Sequence, residues 1–165
     1  TKGLISIADK FKTDLSIVKS VIKSNQKRKI MLTKRVNKIL NNKVKNKKIT
    51  VLGVTFKANT DDMRESSSLV LIPYLLKKGG IVKYHDPSGP KKELKTNKNL
   101  KYERTLSKAC MGADLIIINT EWDEFKSIDF KKIVKKNNFK VYDMRNLYNP
   151  IELKKRKIKY YSVGR

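Results

Sequence analysis

The chain has 165 residues, of which 40 are lysine or arginine and 15 are aspartate or glutamate, so its formal net charge is +25. This length suffices for one domain with a hydrophobic core plus an appendage, and a hydrophobic content of 39% excludes a disordered basic tail. No segment approaches the roughly 18 to 20 consecutive apolar residues of a membrane span. A single cysteine, Cys110, excludes a disulfide framework and a four-cysteine zinc site. Because no signal-peptide pattern is present, we expect a cytoplasmic protein.

The positive charge first suggests nucleic-acid binding. The basic residues are mostly lysine, however, and they are spread along the whole chain together with many asparagines. Such a bias can reflect genome composition as easily as a binding face. A basic nucleic-acid-binding module, with a long helix as its dimer zipper, therefore stays open as one hypothesis.

Two helices are predicted near the amino-terminal end. Residues 4–11 place apolar side chains on one side of a short helix. A longer helix follows over residues 14–41, and Thr13 or Asp14 is expected to cap it, since either side chain can accept a free backbone N–H. Its apolar positions keep a heptad-like spacing over a length of about 40 Å. A long helix with one apolar stripe needs a partner, either another domain or a second copy of itself.

A polar segment at residues 42–48 separates this helix from an alternation of strands and helices. We therefore predict two parts, a helical region over residues 1–44 and a second domain over residues 45–165. The predicted strands are 48–54, 81–85, 115–119, 140–143 and 159–163. The predicted helices are 66–78, 107–111, 129–136 and 151–156, with a kink or a shortened first turn because of Pro73 and a lysine-rich loop before residue 107. This alternation is typical of a Rossmann-like, doubly wound parallel sheet of the α/β class.

The loop that follows the first predicted strand carries the strongest chemical signal. Ligands of parallel sheets bind beyond the carboxyl ends of the strands, and this loop is expected there. Lys57 and Arg64 would bring two cations to that crevice, near a helix N-terminus that also favours anions. The pattern predicts a phosphate-bearing ligand. The glycine fingerprint of a complete dinucleotide site is absent.

Four ordered segments carry a family resemblance: residues 53–66 (Gly-Val-Thr-Phe-Lys-Ala-Asn-Thr-Asp-Asp-Met-Arg-Glu-Ser), 84–87 (Tyr-His-Asp-Pro), 119–125 (Asn-Thr-Glu-Trp-Asp-Glu-Phe) and 143–148 (Asp-Met-Arg-Asn-Leu-Tyr). They resemble the carboxyl-terminal, UDP-sugar-binding domain of the UDP-glucose/GDP-mannose dehydrogenase family, most of all its UDP-glucose 6-dehydrogenase branch. The long helix resembles the central helix through which these enzymes form homodimers, so the region 1–44 is expected to be a dimerisation region.

The resemblance implies an enzyme that oxidises a UDP-sugar alcohol to an acid with two NAD⁺ in succession, through a thioester on a cysteine. The family's cysteine segment is absent from this chain, and Thr1 matches the residue just after it. The amino-terminal domain that provides most of the NAD contacts is absent as well. We therefore expect this chain to supply UDP-sugar binding and dimer contacts and to have no dehydrogenase activity alone.

The resemblance also assigns site residues. Phe56 and Lys57 match a pair that contacts the UDP-sugar, Arg64 matches an arginine that reaches NAD across a domain interface, and Arg145 matches an arginine that binds the substrate. The family usually has glycine at the position of Met144, which places the local conformation at Arg145 in question. No catalytic residue and no metal site is assigned.

Several other residues have plainer interpretations. Cys110 precedes a buried strand without a neighbouring base in the sequence, so we interpret it as a small buried hydrophobic residue. We assign His85 to a turn and the acidic residues after residue 120 to a solvated loop. A dehydrogenase of another nucleotide sugar, such as UDP-N-acetylmannosamine or GDP-mannose, remains an alternative to one that acts on UDP-glucose.

Overall fold

The computed structural model describes residues 2–164. Thr1 of the predicted helical region and Arg165 of the predicted second domain lie outside the described residues. Within this range the strands are β1 (Lys48–Leu52), β2 (Ile81–His85), β3 (Leu100–Tyr102), β4 (Leu115–Ile118), β5 (Lys140–Asp143) and β6 (Lys159–Ser162). The helices are α1 (Lys2–Lys10), α2 (Ser16–Ile39), α3 (Ser68–Lys77), α4 (Leu106–Cys110), α5 (Phe130–Val134) and α6 (Pro150–Lys155), with a 3-10 turn at Asp123–Phe125. None of these helices is both long and apolar enough to cross a lipid bilayer.

All the strands pair in parallel, in the order β3-β2-β1-β4-β5-β6. The chain builds one half of the sheet outward from β1 and then crosses to β4 to build the other half. This order is that of the Rossmann fold, and it confirms the predicted α/β class. The crevice beyond the carboxyl ends of β1 and β4, where the order reverses, is the usual ligand position in such sheets.

Two hydrophobic clusters lie on opposite faces of the sheet because alternate strand residues point to opposite sides. On one face, Ile49, Val51 and Ile117 pack with apolar residues of α2 and α3. On the other face, Leu52 and Ile116 pack with apolar residues of α4, α5 and α6. Both faces are covered, as parallel sheets require, and the strand ends are left as the accessible edges.

The long helix α2 is buried along one side of its carboxyl-terminal half and is more exposed towards its amino-terminal end. Leu32, Val36 and Ile39 are buried in the first cluster, and Val36 has no exposed surface. Towards the amino-terminal end, the side chains of Ile17 and Val21 are 78% and 47% exposed. One side of the carboxyl-terminal half of α2 is therefore part of the sheet's core, whereas the amino-terminal half leaves apolar side chains exposed.

The structure differs from the sequence prediction at three element boundaries. Helix α2 begins at Ser16 with Leu15 at the N-cap and no side-chain capping bond, so the prediction that Thr13 or Asp14 caps it was wrong. Thr13 instead ends α1, because its backbone N–H donates to Ala8 O at 2.9 Å. Strand β3 lies where only a lysine-rich loop was predicted. Helix α3 starts at residue 68 rather than 66, and Pro73 lies inside it.

Candidate functional site

Three loops meet at the carboxyl edge of the central strands. They follow β1 (residues 53–57), β4 (residues 119–121) and β5 (residues 144–146). Because β4 lies between β1 and β5 in the sheet, the loop after β4 separates the other two. The predicted substrate residues Phe56, Lys57 and Arg145 are thus placed on loops at one edge of the sheet.

The loop after β1 turns sharply at Gly53. This residue has a φ of +74°, which side chains disfavour, and a Cβ atom there would lie 2.5 Å from Thr120 Cβ. Its N–H donates to His85 O at 2.8 Å, which extends the pairing of β1 and β2 by one residue. Glycine is required at this position both for its conformation and for the close approach of the loop after β4.

Side chains from the surrounding segments hold the carbonyl groups of this loop. Asn119 Nδ2 donates to Gly53 O at 3.0 Å, Thr120 Oγ1 donates to Thr55 O at 2.9 Å, and Ser66 Oγ donates to Val54 O at 2.7 Å. Ser66, Asn119 and Thr120 are all buried. The sequence prediction assigned no role to these three residues. Polar residues directly after a buried strand were the available signal, because they lie where backbone groups leave the sheet.

At the tip of the loop, Phe56 and Lys57 point away from the core. The Phe56 side chain is 54% exposed, and Lys57 is exposed as well. The backbone there is anchored, because Phe56 N donates to Asp62 O at 2.8 Å and Thr55 Oγ1 donates to Lys57 O at 3.0 Å. An aromatic ring and an ammonium group are therefore exposed to solvent on an anchored backbone.

Arg64 lies on the outer part of the segment between β1 and α3. Its guanidinium group is 89% exposed and pairs with Asp62, with Nη2 at 2.8 Å from Oδ2 and Nε at 3.0 Å from Oδ1. The hydrogen bond from Arg64 lowers the pKa of the Asp62 carboxyl to about 2. The next residue, Glu65, forms an ion pair with Lys29 of α2 at 2.7 Å. Arg64 thus projects from the domain surface, on a segment attached to the long helix.

Arg145 follows β5 and pairs through Nε with Glu121, which follows β4. Burial acts to raise the pKa of Glu121, but the hydrogen bond and the positive charge of Arg145 outweigh it, so this pKa lies below its ordinary value. The backbone N–H of Arg145 donates to the buried Asp143 Oδ1 at 2.9 Å. Met144 is buried in the first cluster, and the left-handed residue of this loop is Asn146, with a φ of +57°. A side chain at residue 144 is therefore accommodated in the core.

The sequence connects this site to known proteins. The profile described as UDP-glucose/GDP-mannose dehydrogenase family, UDP binding domain, matches residues 50–150, which is more than half of the chain. The chain belongs to this family. The match confirms the resemblance that the four sequence segments indicated, and it spans all three loops at the edge of the sheet.

Individual relatives agree with this assignment. A UDP-glucose 6-dehydrogenase from Rickettsia bellii is 39% identical over 154 residues, which cover 92% of this chain and 36% of that protein. The structure of a UDP-glucose dehydrogenase from Pyrobaculum islandicum aligns with a TM-score of 0.75 at 25% identity, over 96% of this chain and 34% of that one. A UDP-D-ManNAc dehydrogenase from Pyrococcus horikoshii aligns with a TM-score of 0.61 at 27% identity, over 83% and 30%. The chain spans 36% to 38% of the length of its curated relatives.

The turn after β1 of this UDP binding domain does not fit a dinucleotide such as NAD. A dinucleotide turn carries the pattern G-x-G-x-x-G directly before a helix, whose N-terminus holds the pyrophosphate. Here Thr55 stands at the second glycine position and hydrogen-bonds within the loop, and α3 begins only at Ser68. We therefore derive no hydride-transfer step from the residues of this chain.

Two titratable residues of the UDP binding domain, Cys110 and His85, are buried. Cys110 has no exposed surface, and burial raises the pKa of its thiol to about 12, so the thiolate needed for nucleophilic attack is disfavoured. His85 is buried at the end of β2, with Nδ1 at 2.9 Å from Glu103 O and Nε2 at 3.3 Å from Glu124. Within residues 2–164, no group of three or more His, Cys, Asp or Glu side chains is arranged to hold a metal ion.

Proposed function

We propose that this chain is the UDP-sugar-binding part of an NAD-dependent UDP-glucose 6-dehydrogenase, which converts UDP-glucose to UDP-glucuronate. The observation that supports this proposal is that Phe56, Lys57 and Arg145 lie on loops after β1 and β5, at the carboxyl edge of a Rossmann sheet. All three residues belong to the segment that matches the family's UDP binding domain. The name of the Rickettsia bellii relative supports UDP-glucose as the substrate.

The chemistry of the three side chains suits a nucleoside diphosphate sugar. Lys57 supplies a compact positive charge for a diphosphate or sugar oxygen, and Arg145 supplies a planar fork that can hold two oxygens at once. The exposed ring of Phe56 offers an apolar face for a base or a sugar ring. Because Arg145 is paired with Glu121, binding an oxygen of the substrate requires Arg145 to exchange or share that partner.

We assign both hydride transfers, the nucleophilic cysteine and most NAD contacts to parts of the enzyme outside this chain. Arg64 is the proposed exception, since its exposed guanidinium can reach a cofactor held by a neighbouring domain. We further propose that the exposed apolar side of α2, with Ile17 and Val21, forms a homodimer contact. A helix with an uncovered apolar stripe gains stability when a partner buries that stripe.

Titration of the 165-residue chain with UDP in a calorimeter tests the substrate role. We expect Lys57→Ala to weaken UDP binding by roughly tenfold or more, because a hydrogen bond to a charged group contributes about 1.5 to 3 kcal/mol. Lys77→Ala is the matched control, since Lys77 is exposed in the last turn of α3, away from the carboxyl edge. Equal UDP affinity in the wild type and in Lys57→Ala would contradict the assignment of Lys57.

A second candidate function is a dehydrogenase of another nucleotide sugar, and the similarity to the UDP-D-ManNAc dehydrogenase favours keeping it. The two candidates differ in the sugar and, for GDP-mannose, also in the base of the nucleotide. Titration with UDP-glucose, UDP-N-acetylmannosamine and GDP-mannose separates them. We expect UDP-glucose to bind most tightly, and a preference for either of the others would replace our proposal. Salt-sensitive binding of duplex DNA without any nucleotide-sugar binding would instead support the nucleic-acid hypothesis.

A further inference from the structure

Asp86, directly after β2, is a carboxylate buried inside the protein beside the candidate site. Its side chain has no exposed surface. Moving an ionised carboxylate from water into a protein interior is costly unless hydrogen-bond donors surround it. The hydrogen-bond donors that surround Asp86 therefore indicate the role of this residue.

One oxygen of Asp86 holds the loop after β1. Val54 N donates to Asp86 Oδ2 at 2.7 Å, and Thr55 N donates to the same oxygen at 3.3 Å. These are the two N–H groups directly before Phe56 and Lys57. The carbonyl groups of the same segment are held by Asn119, Thr120 and Ser66, as described above. Asp86 thus completes the anchoring of the loop from the side of β2.

The other oxygen of Asp86 connects to the segment that follows it. Ser88 N donates to Asp86 Oδ1 at 3.0 Å, and the Ser88 hydroxyl donates to it as well. Lys91 Nζ in turn donates to Ser88 Oγ at 2.7 Å. A positively charged side chain is therefore linked to the carboxylate through a hydroxyl group.

Asp86 accepts hydrogen bonds from the protein itself, whereas the corresponding acidic residue of a dinucleotide site accepts them from the ligand. There, an acidic side chain roughly 20 residues beyond the glycine turn accepts a hydrogen bond from a ribose hydroxyl. Asp86 lies at the end of the strand beside β1, but its oxygens are occupied by backbone and serine donors of the protein itself.

We propose that Asp86 is a positioning residue for nucleotide binding, which fixes the loop after β1 so that Phe56 and Lys57 face the crevice before the ligand arrives. The proposal rests on the proposed function. A loop that is already ordered loses less conformational entropy on binding, so its contacts yield more affinity. Without the carboxylate, the N–H groups of Val54 and Thr55 lose their acceptor, and the middle of the loop is anchored through its carbonyl groups.

A double-mutant cycle in the 165-residue chain tests this role. Asp86→Asn keeps the shape of the side chain but presents an amide in place of the carboxylate. We expect it to weaken UDP binding by about tenfold, and we expect Lys57→Ala to weaken binding clearly less in the Asp86→Asn background than in the wild type. A residue that only stabilises the fold would lower the melting temperature and give independent, additive effects on UDP affinity.

Asp114→Asn is the matched control. Asp114 precedes β4 at the opposite edge of the sheet, where it accepts hydrogen bonds from Lys48 N at 2.8 Å and Lys136 Nζ at 2.6 Å. We expect this variant to lose thermal stability and to keep the wild-type UDP affinity. Equal losses of affinity in Asp114→Asn and Asp86→Asn would overturn the proposal.

Amide hydrogen exchange of the unliganded wild-type protein gives a test that needs no variant. We expect the N–H groups of Val54 and Thr55 to be protected before UDP is added and to change little afterwards. Fast exchange that becomes slow only with UDP would overturn the proposal, since the loop would then be ordered by the ligand. Absence of UDP binding by the wild type would overturn the proposed function. Binding by the wild type with unchanged affinity in Asp86→Asn would overturn this inference alone.

Discussion

Buried aspartates hold the two loops that carry the proposed ligand residues. Asp86 accepts backbone N–H groups of the loop before Lys57, and Asp143 accepts Arg145 N at 2.9 Å and Tyr148 N at 3.1 Å. Each carboxylate lies at the end of a strand that flanks the central pair. Short polar side chains at these positions satisfy N–H groups that would otherwise leave the sheet without a partner.

The buried position of Cys110 predicts how its thiol reacts and titrates. Because burial raises its pKa to about 12, the native thiol should react with a thiol reagent at pH 8 only when the chain unfolds, and urea should accelerate labelling.

The raised pKa of Cys110 also means that the native state keeps a proton that the unfolded state loses above the ordinary thiol pKa of 9.0, so the free energy of unfolding should fall between pH 9 and 12. Cys110→Ala should reduce that fall. Rapid labelling of the native protein, independent of urea, would contradict the buried position.

The helix α2 joins two environments in one element. Its carboxyl-terminal half packs on α3 and on the sheet, where Arg35 also lies over the ring of Tyr142 at 5.6 Å. Its amino-terminal half leaves apolar side chains exposed. Lys29, between the two halves, connects the helix to Glu65 and so to the segment that carries Arg64.

The same substitution at two positions of α2 tests this division. Ile39→Ala, at a side chain that is 3% exposed, should lower the free energy of unfolding by about 2 to 5 kcal/mol. Ile17→Ala, at a side chain that is 78% exposed, should change it by less than about 0.5 kcal/mol. Urea denaturation of dilute protein, shown to be monomeric by sedimentation, measures both values. Similar losses at both positions would mean that the amino-terminal half is packed in the monomer.

For the whole molecule, the net charge of +25 says little about the ligand. Acidic residues are outnumbered, and some of them pair with two lysines each, as Asp114 does with Lys47 at 3.9 Å and Lys136 at 2.6 Å. The ligand roles proposed for Lys57 and Arg145 rest on their positions in loops at the carboxyl edge of the sheet rather than on the total charge.

The whole chain should also lack dehydrogenase activity by itself. Its single cysteine is buried, and the turn after β1 does not fit a dinucleotide, so neither the thioester step nor NAD binding has its residues. We expect no NADH absorbance from the purified chain with UDP-glucose and NAD⁺, with an active UDP-glucose 6-dehydrogenase as the positive control. NADH formation that rises with the concentration of the chain would contradict this expectation.

Much of the fold could be predicted because strand and helix periodicities are local. β2 and β5 were predicted at the observed residues, and the other long apolar strands within one or two residues. The short strand β3 was missed, since its three residues follow a lysine-rich segment and pair with β2 only in the tertiary structure. The N-cap of α2 was also missed, because Thr13 belongs to the turn that closes the carboxyl-terminal end of α1.

The residues of the candidate site also differ in whether the sequence alone could identify them. Phe56, Lys57, Arg64 and Arg145 could be selected from the sequence, since their segments carry the family pattern, and their ligand roles remain predictions. The residues that hold the loops could not be selected, because Asp86, Asn119 and Thr120 act on backbone groups 31 to 66 positions away in the chain. The sequence by itself determined the α/β class, the family and the charged ligand candidates, since these depend on local patterns. Only the tertiary structure decided that α2 belongs partly to the core and that the loop after β1 is anchored from both neighbouring strands, because both depend on contacts between distant segments.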